Sequence, residues 1–437
     1  MRVAVIGSGI AGLGAAHALA GSCALTLFEA GPHFGGHTHT VDVTLEGKTW
    51  GVDTGFLVYN ERTYPHLIRL FAELGVQTAP SDMSFSVQLP QQGLEWSGSS
   101  LNTVFAQRRN LLNWRFHRML AELLRFNRVA TSLARTNINH TGFTVGEFLA
   151  REGFSREFVE WYFLPMIGCI WSCPTAQMMQ FPMATLLRFC HNHGLLQVND
   201  RPQWYTVKGG ARHYVEKIVE RIDDKRLRTP VRRIERRAGQ VRVSTDTRTE
   251  VFDHVVIATH SDQALALLAD PSMREREVLG AIGYKPNRAV LHTDRTLLPK
   301  SRLAWAAWNY EHSGQREGAS VCLHYLLNRL QPLPFEQPVI VSLNPVREPA
   351  RATVLREIEY SHPVFDRAAI AAQQDVVEIQ GLQNTWYCGA WCGYGFHEDG
   401  LKAGQRVAAQ LKAWLDANAG APAADMPHGA SRAASPT

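Results

Sequence analysis

The chain has 437 residues, 45% of them apolar, and a mild net charge of +5 spread over many arginines. That suits two domains or one large two-lobed unit with sizeable cores, and gives no reason to invoke nucleic acid as a partner. An odd count of seven cysteines, a first strand that follows Met1 with no room for a charged leader, and apolar runs too short to span a bilayer argue against a stapled secreted scaffold or a membrane span, and predict a cytoplasmic, reduced protein.

Arg2 to Ile6 is an apolar run too short for a helix and suited to a buried parallel strand. It ends in Gly7-Ser8-Gly9-Ile10-Ala11-Gly12. In this setting Gly7 makes the tight turn, Gly9 lets a pyrophosphate approach, and Gly12 lets the next helix pack closely; the amides of Ile10 and Ala11 open that helix toward the phosphates. Ala24 to Phe28 reads as the second strand, ending at Glu29-Ala30, where an acid binds ribose hydroxyls. Gly35-Gly36-His37-Thr38 follows, a second close backbone approach that favours FAD over NAD.

Strands at 41–45 and 48–52 precede Asp53-Thr54-Gly55-Phe56, and a helix is predicted over 62–74. The strand-like stretches SFSVQLP and GLEWSG leave the nucleotide fold for a second lobe. Residues 104–133 read as one long basic amphipathic helix, with Phe105, Leu112, Phe116, Met119, Leu123, Phe126 and Ala130 on a stripe among six arginines. Such a face is either a solvated cover over a core or a peripheral contact with an anionic membrane.

Thr144-Val145-Gly146-Glu147 forms a capping box. Beyond it, a segment rich in Met, Phe and Trp is broken by Pro165, Pro174 and Pro182, and suits either core packing or an apolar tunnel for a lipid-like substrate. Residues 205–210 mark the return to the first lobe, with a helix over 211–222, then Val231, a strand at 241–244, and the run Val255 to Thr259. Strands at 288–293, 320–326 and 339–343 belong to the second lobe again. Thr385 to Ala390 is a last strand, and WCGYGFHEDGLKAG leads into a helix over 401–415. The two C-x-x-x-C pairs, Cys169/Cys173 and Cys388/Cys392, lack a second ligand pair and read as buried small apolar residues rather than zinc ligands. From residue 417 to 437 the chain is small, Pro-rich and polar, the composition of a disordered tail.

These stretches resemble the FAD-dependent superfamily of amine oxidases, protoporphyrinogen oxidase and phytoene desaturases, with His37 where that group has an arginine. The resemblance implies an α/β fold: a Rossmann-like FAD-binding domain of the GR2 type (residues 1–75, 205–262 and 380–416) interleaved with a mixed α+β substrate domain (76–204 and 263–379). It implies FAD contacts from Gly7, Gly9, Ile10, Ala11, Gly12, Glu29, Ala30, Gly36, His37, Thr38, Val231, Ala258, Thr259, Gly389, Glu398, Asp399, Gly400 and Leu401. Arg288 aligns with the lysine, and Phe396 with the cage tyrosine, that amine oxidases use. With both replaced, a hydrocarbon substrate is favoured over a polar amine. Arg288, His397 and Glu398 are the candidates for catalysis, each with an ordinary ion-pair or turn role as the alternative.

GGHTHT, DTGFLVYN, FLPMIGCIWSCP and GFHEDGLKAG are more similar still to a bacterial subgroup whose genes accompany methyltransferases of the cyclopropane-fatty-acid-synthase type. That implies desaturation or oxidation of a fatty acyl chain, with such a methyltransferase as a partner. Amine oxidation and a redox-silent, lipid-presenting flavoprotein are the alternatives.

Overall fold

The computed structural model describes residues 1–135, 142–171, 175–197, 201–312 and 321–417. The expected tail, from residue 418, and Cys173 and Pro174 lie outside the described residues. A five-stranded parallel sheet runs in the order Asp224–Arg226, Ala24–Phe28, Arg2–Ile6, His254–Ile257, Thr385–Tyr387. Successive side chains of a strand face opposite ways, and Arg2–Ile6 uses this to build two cores. Val3 and Val5 pack with the helices Ile10–Leu19 and His397–Ala417. Ala4 and Ile6 pack with the antiparallel sheet Val231–Arg237, Gln240–Thr245, Thr249–Phe252. The uninterrupted apolar run is therefore that of a strand covered on both faces.

A second, seven-stranded sheet has the order Val354–Val364, Gly283–His292, Ile340–Leu343, Cys322–Leu326, Trp308–Glu311, Phe85–Leu89, Leu94–Ser97. Residues of these strands share one large core with the helices Trp114–Arg135, Leu164–Trp171 and Met183–Asn192. A small sheet of Tyr59–Asn60, Trp204–Val207 and Thr78–Ser81 stands where the chain passes between the two regions. Asp53 ties that passage: its buried carboxylate accepts from the Ala211 amide at 2.9 Å and from Gln331 Nε2 at 2.7 Å. Burial raises it to about 7.

The predicted helix over 104–133 is in fact three pieces, Leu101–Val104, a 3-10 turn Arg108–Leu112, and Trp114–Arg135. Asn113 makes the break, because its side-chain oxygen accepts the Arg115 amide at 3.1 Å and so begins a new helix. Phe116, Met119, Phe126 and Ala130 of the expected stripe are buried, whereas Leu112 is 93% exposed. The last helix begins at His397, four residues before the predicted 401 start, so Glu398, Asp399 and Gly400 form its first turn.

Candidate active site

Two helix N-termini meet above the parallel sheet. Gly7 sits at φ 94°, which favours glycine, and a Cβ on Gly12 would lie 1.9 Å from the Gly7 carbonyl oxygen. A Cβ on Gly404 would lie 2.0 Å from the Ala11 oxygen, and one on Gly400 2.8 Å from Ile10. The helices Ile10–Leu19 and His397–Ala417 therefore touch through backbone, and their first turns converge. Helix Ile10–Leu19 has no side-chain cap and no acid in its first turn, leaving the first-turn amides for an anion.

Around that point the chain leaves room for a ligand. A Cβ on Gly9 would meet nothing within 4 Å, and Gly36 approaches so closely that its own Cβ would be 3.0 Å from Gly9 Cα. Glu29 ends its strand with one carboxylate oxygen 3.0 Å from the Ser8 amide and the other 2.7 Å from the Gly31 amide, with exposed Ala30 between. The Thr229 amide donates to the Glu29 carbonyl at 2.8 Å, which brings Val231 to the same edge. Ala258 packs on Gly7 and Gly12, and the Thr259 carbonyl accepts from Trp391 Nε1 at 3.1 Å beside Gly389. These groups fit FAD: open glycines, free amides at a helix N-terminus, and an acid at the end of the second strand.

The other wall is made of side chains from distant segments. His37 stacks on Tyr360 at 4.7 Å and lies 5.3 Å from His362 and 6.4 Å from His260, by ring centroids. His37 Nε2 is buried and has no hydrogen-bond partner among the described residues. Burial, with the neighbouring rings adding, holds His37 well below the usual imidazole range, and burial lowers His362 to about 4. His397 stacks on Phe56 at 3.8 Å and bonds Tyr214 Oη at 2.6 Å, which in turn meets the Thr38 hydroxyl at 2.5 Å. Burial lowers His397 to about 3. At neutral pH these rings carry no charge.

A hydrogen-bond chain fixes the proton on His362. The Arg288 amide donates to Asn344 Oδ1 at 3.0 Å, so Asn344 Nδ2 donates to Asn287 Oδ1 at 2.7 Å. Asn287 Nδ2 then faces His362 Nδ1 at 2.9 Å. The donor must meet an acceptor, so the neutral ring carries its hydrogen on Nε2. The aromatic side is closed by Phe396, stacked on Phe189 at 5.0 Å, with Tyr394 5.9 Å from Phe189.

Four predicted site residues do other work. Arg288 points outward and pairs with Glu348 at 2.8 Å and Glu357 at 3.1 Å; the alternation of the strand Gly283–His292 turns Asn287, one residue earlier, inward instead. Glu398 neither faces the cradle nor has a free oxygen pair, since it accepts the His66 amide at 2.8 Å and the Leu67 amide at 3.0 Å and so caps the helix Pro65–Leu74. Asp399 accepts the Tyr394 and Phe396 amides, each at 3.0 Å, and shapes the preceding loop. The Leu401 side chain is fully buried against Gly14, so only its backbone remains for a ligand. Sequence reasoning missed Asn287, Tyr360, His362 and His260. The strand Val354–Val364 was not predicted, and the period-two pair Tyr360/His362 was the signal that marks it. Cys388 and Cys392 are pushed up by burial, Cys392 to about 12, which makes neither a ready nucleophile.

Residues 10–322 match the family of flavin containing amine oxidoreductases. The match spans most of the chain, and the protein belongs to this family; it is an FAD-dependent oxidoreductase. Among solved structures it is similar to a CLA-producing fatty acid isomerase from P. acnes, at 16% identity and TM-score 0.67, over 94% of this chain and 98% of that one. It is also similar to cyclohexylamine oxidase from Brevibacterium oxydans IH-35A, at 18% identity and TM-score 0.65, over 95% and 99%. Wild-type putrescine oxidase bound to putrescine is a third, at 15% identity and TM-score 0.65, over 94% and 99%. No curated protein matches the sequence significantly. At such identities the likeness establishes the fold. Among the described residues no helix is long and apolar enough to cross a membrane.

Proposed function

We propose that the protein desaturates or oxidises a fatty acyl chain. The observation that carries this reading is an apolar cavity of about 280 Å³ lined by Val145, Ile167, Met178, Phe181, Leu186 and Phe365. The Met- and Phe-rich central segment supplies much of it, as a lipid tunnel requires. The one carboxylate in its lining, Asp366, accepts the Ala369 amide at 2.8 Å as a helix cap. A second cavity of about 240 Å³ shares Phe181 and Phe365 and adds Arg188, Gln373 and Tyr394. An apolar tail with a polar head suits this pair better than a small amine. Phe365 also packs on Gly395, in the loop that leads to the cradle.

Forming a C=C bond takes a hydride and a proton from adjacent carbons. FAD, when bound, supplies the hydride acceptor. The proton falls to this chain, and neutral His37, whose Nε2 has no partner among the described residues, is its acceptor. His362, fixed as an Nε2–H donor, orients rather than abstracts. A methyl-branched acyl chain as substrate would make a fatty-acid methyltransferase the natural partner.

The test is an anaerobic visible spectrum of the yellow protein before and after adding an unsaturated phospholipid. Bleaching is the expected result. A spectrum that stays oxidised with every lipid, together with peroxide formation from polyamines or aryl amines, would replace this reading with amine oxidation.

A further inference from the structure

The surface formed by residues 101–118 combines protruding apolar side chains with four exposed arginines, of which Arg108 and Arg109 meet no acid among the described residues. Leu101 is 80% exposed, Leu112 93% and Trp114 65%, with Leu111 beside them. The helix break at Asn113 creates this arrangement, because Trp114–Arg135 turns Phe116 and Met119 into the core and leaves Leu111, Leu112 and Trp114 outside. Between Glu95 and Glu122 the sequence has no Asp or Glu, while Arg108, Arg109, Arg115 and Arg118 are all exposed. Arg115 and Arg118 have distant or partial pairing, at 3.7 Å to Glu157 and 3.4 Å to Glu122. Arg108 bonds the Phe105 carbonyl at 2.8 Å and Asn102 Oδ1 at 2.6 Å, and Arg109 bonds the Gly93 carbonyl. Both sit on oxygens that carry no formal charge.

We propose that this surface docks the protein peripherally on an anionic lipid bilayer, Leu101, Leu111, Leu112 and Trp114 entering the headgroup region and the arginines pairing with lipid phosphates. The charge decides the occupant: apolar tips beside four exposed arginines, with Glu157 and Glu122 their sole acidic partners among the described residues, match an interface that is apolar below and anionic above. The contact is confined to residues 101–118, narrower than the whole 104–133 stretch, because Phe116, Met119, Phe126 and Ala130 of the helix Trp114–Arg135 are committed to the core. The inference stands apart from the acyl substrate and holds whatever the flavin oxidises.

The experiment is sedimentation of the full, FAD-loaded chain with phosphatidylglycerol vesicles against phosphatidylcholine vesicles, read by flavin colour in the pellet. The expected result is pelleting with phosphatidylglycerol that raised salt reverses. Arg108→Gln and Arg109→Gln should each weaken partitioning roughly fivefold, and Leu112→Asp with Trp114→Ser at least about tenfold. Leu101→Asp gives an independent variant, and retained flavin absorbance shows that each has folded. No pelleting, equal pelleting with both lipids, or partitioning that the variants leave unchanged would overturn the proposal. So would light scattering that finds a dimer which Leu112→Asp converts to monomer, since a second copy would then own the surface.

Discussion

The two walls of the candidate site are built from different materials. The wall beneath is mostly backbone: Gly12 lies against the Gly7 carbonyl, and Gly404 lets the last helix meet the Ala11 carbonyl of the first. The wall facing it is made of rings, with His37, His260, Tyr360 and His362 brought together from three well-separated segments. A backbone cradle tolerates no added atom where its own strands and helices touch, as at Gly12, and accepts one only in the space left for a ligand, as at Gly9. A ring cluster tolerates changes of shape but depends on which nitrogen holds a proton. The first kind of wall fits a cofactor; the second is suited to chemistry.

The sharpest way to break this comparison is at the glycines. Gly12→Ala puts a Cβ 1.9 Å from the Gly7 oxygen and should give little folded protein and no flavin absorbance. Gly9→Ala meets no chain atom within 4 Å, so it should fold with an unchanged circular dichroism spectrum yet lose most of its bound FAD. If both variants bind FAD like the wild type, the backbone wall is not where the cofactor lies.

On the ring wall the expected effect is on rate. His37→Gln should keep the flavin and slow lipid-driven bleaching by about 10² to 10⁴, the range of a lost general base. Asn287→Ala frees His362 Nδ1 and should slow it less, by about tenfold, and shift its pH profile, because it removes the orienting hydrogen bond and not the acid–base group. Equal loss in the two variants would mean that Asn287 supports structure rather than a tautomer.

The same difference explains what the sequence showed. A strand, three glycines, a helix and an acid are local and ordered along the chain, so Gly7 to Glu29 could be read directly. His37 was visible as a departure from a motif. His362 was not, because its role depends on the strand Val354–Val364 pairing with Gly283–His292, a contact between residues about seventy positions apart that no local pattern encodes. Arg288 stays open between catalysis and an ion pair in the sequence for a related reason: in a strand a one-residue slip reverses the face, and charge alone does not reveal register. Glu398 looked catalytic because an acid at a helix start invites that reading, while its partners, the amides of His66 and Leu67, lie far away in sequence.

Neutral buried rings also make the protein acid-sensitive. An unfolded imidazole titrates near about 6.5, whereas folded His362 sits at about 4 and His397 at about 3. Between those limits the unfolded chain binds more protons, so stability falls as pH drops below about 6.5, by up to about 1.4 kcal/mol per pH unit for each ring. His324 works the other way: burial opposes its charge, but Cys322 and the hydrogen-bonded Glu311 carboxylate raise it to about 9, so its contribution is complete below about 6.5 and lost as pH rises through 9. Thermal melts between pH 7 and 4 should show the loss, and His397→Gln should make it shallower. Asp53, raised to about 7 by burial, works against the rings in this window, so the comparison with His397→Gln decides: a pH dependence that this variant leaves unchanged would mean that the His397 ring is already charged or solvated.

Smaller effects separate structural acids from the site. Glu398→Gln keeps one oxygen for the amides of helix Pro65–Leu74 and should lower stability by about 1 kcal/mol, the scale of a lost cap, with flavin binding and rate preserved. A rate loss larger than the stability loss would return Glu398 to the chemistry.

The smallest effect is expected at Arg288. Its guanidinium is partly exposed and held between Glu348 and Glu357 on the outer face of the strand. An exposed pair of this kind contributes about 0 to 1 kcal/mol, screened further by salt. Arg288→Gln removes the charge and leaves the backbone amide that holds Asn344, so the Asn344–Asn287–His362 chain should survive intact. Turnover, its pH profile and the flavin spectrum should then match the wild type, in contrast to Asn287→Ala one residue away. A large rate loss at Arg288 with none at Asn287 would show that the strand presents its other face to the substrate and that the ring wall has been placed on the wrong side of the sheet.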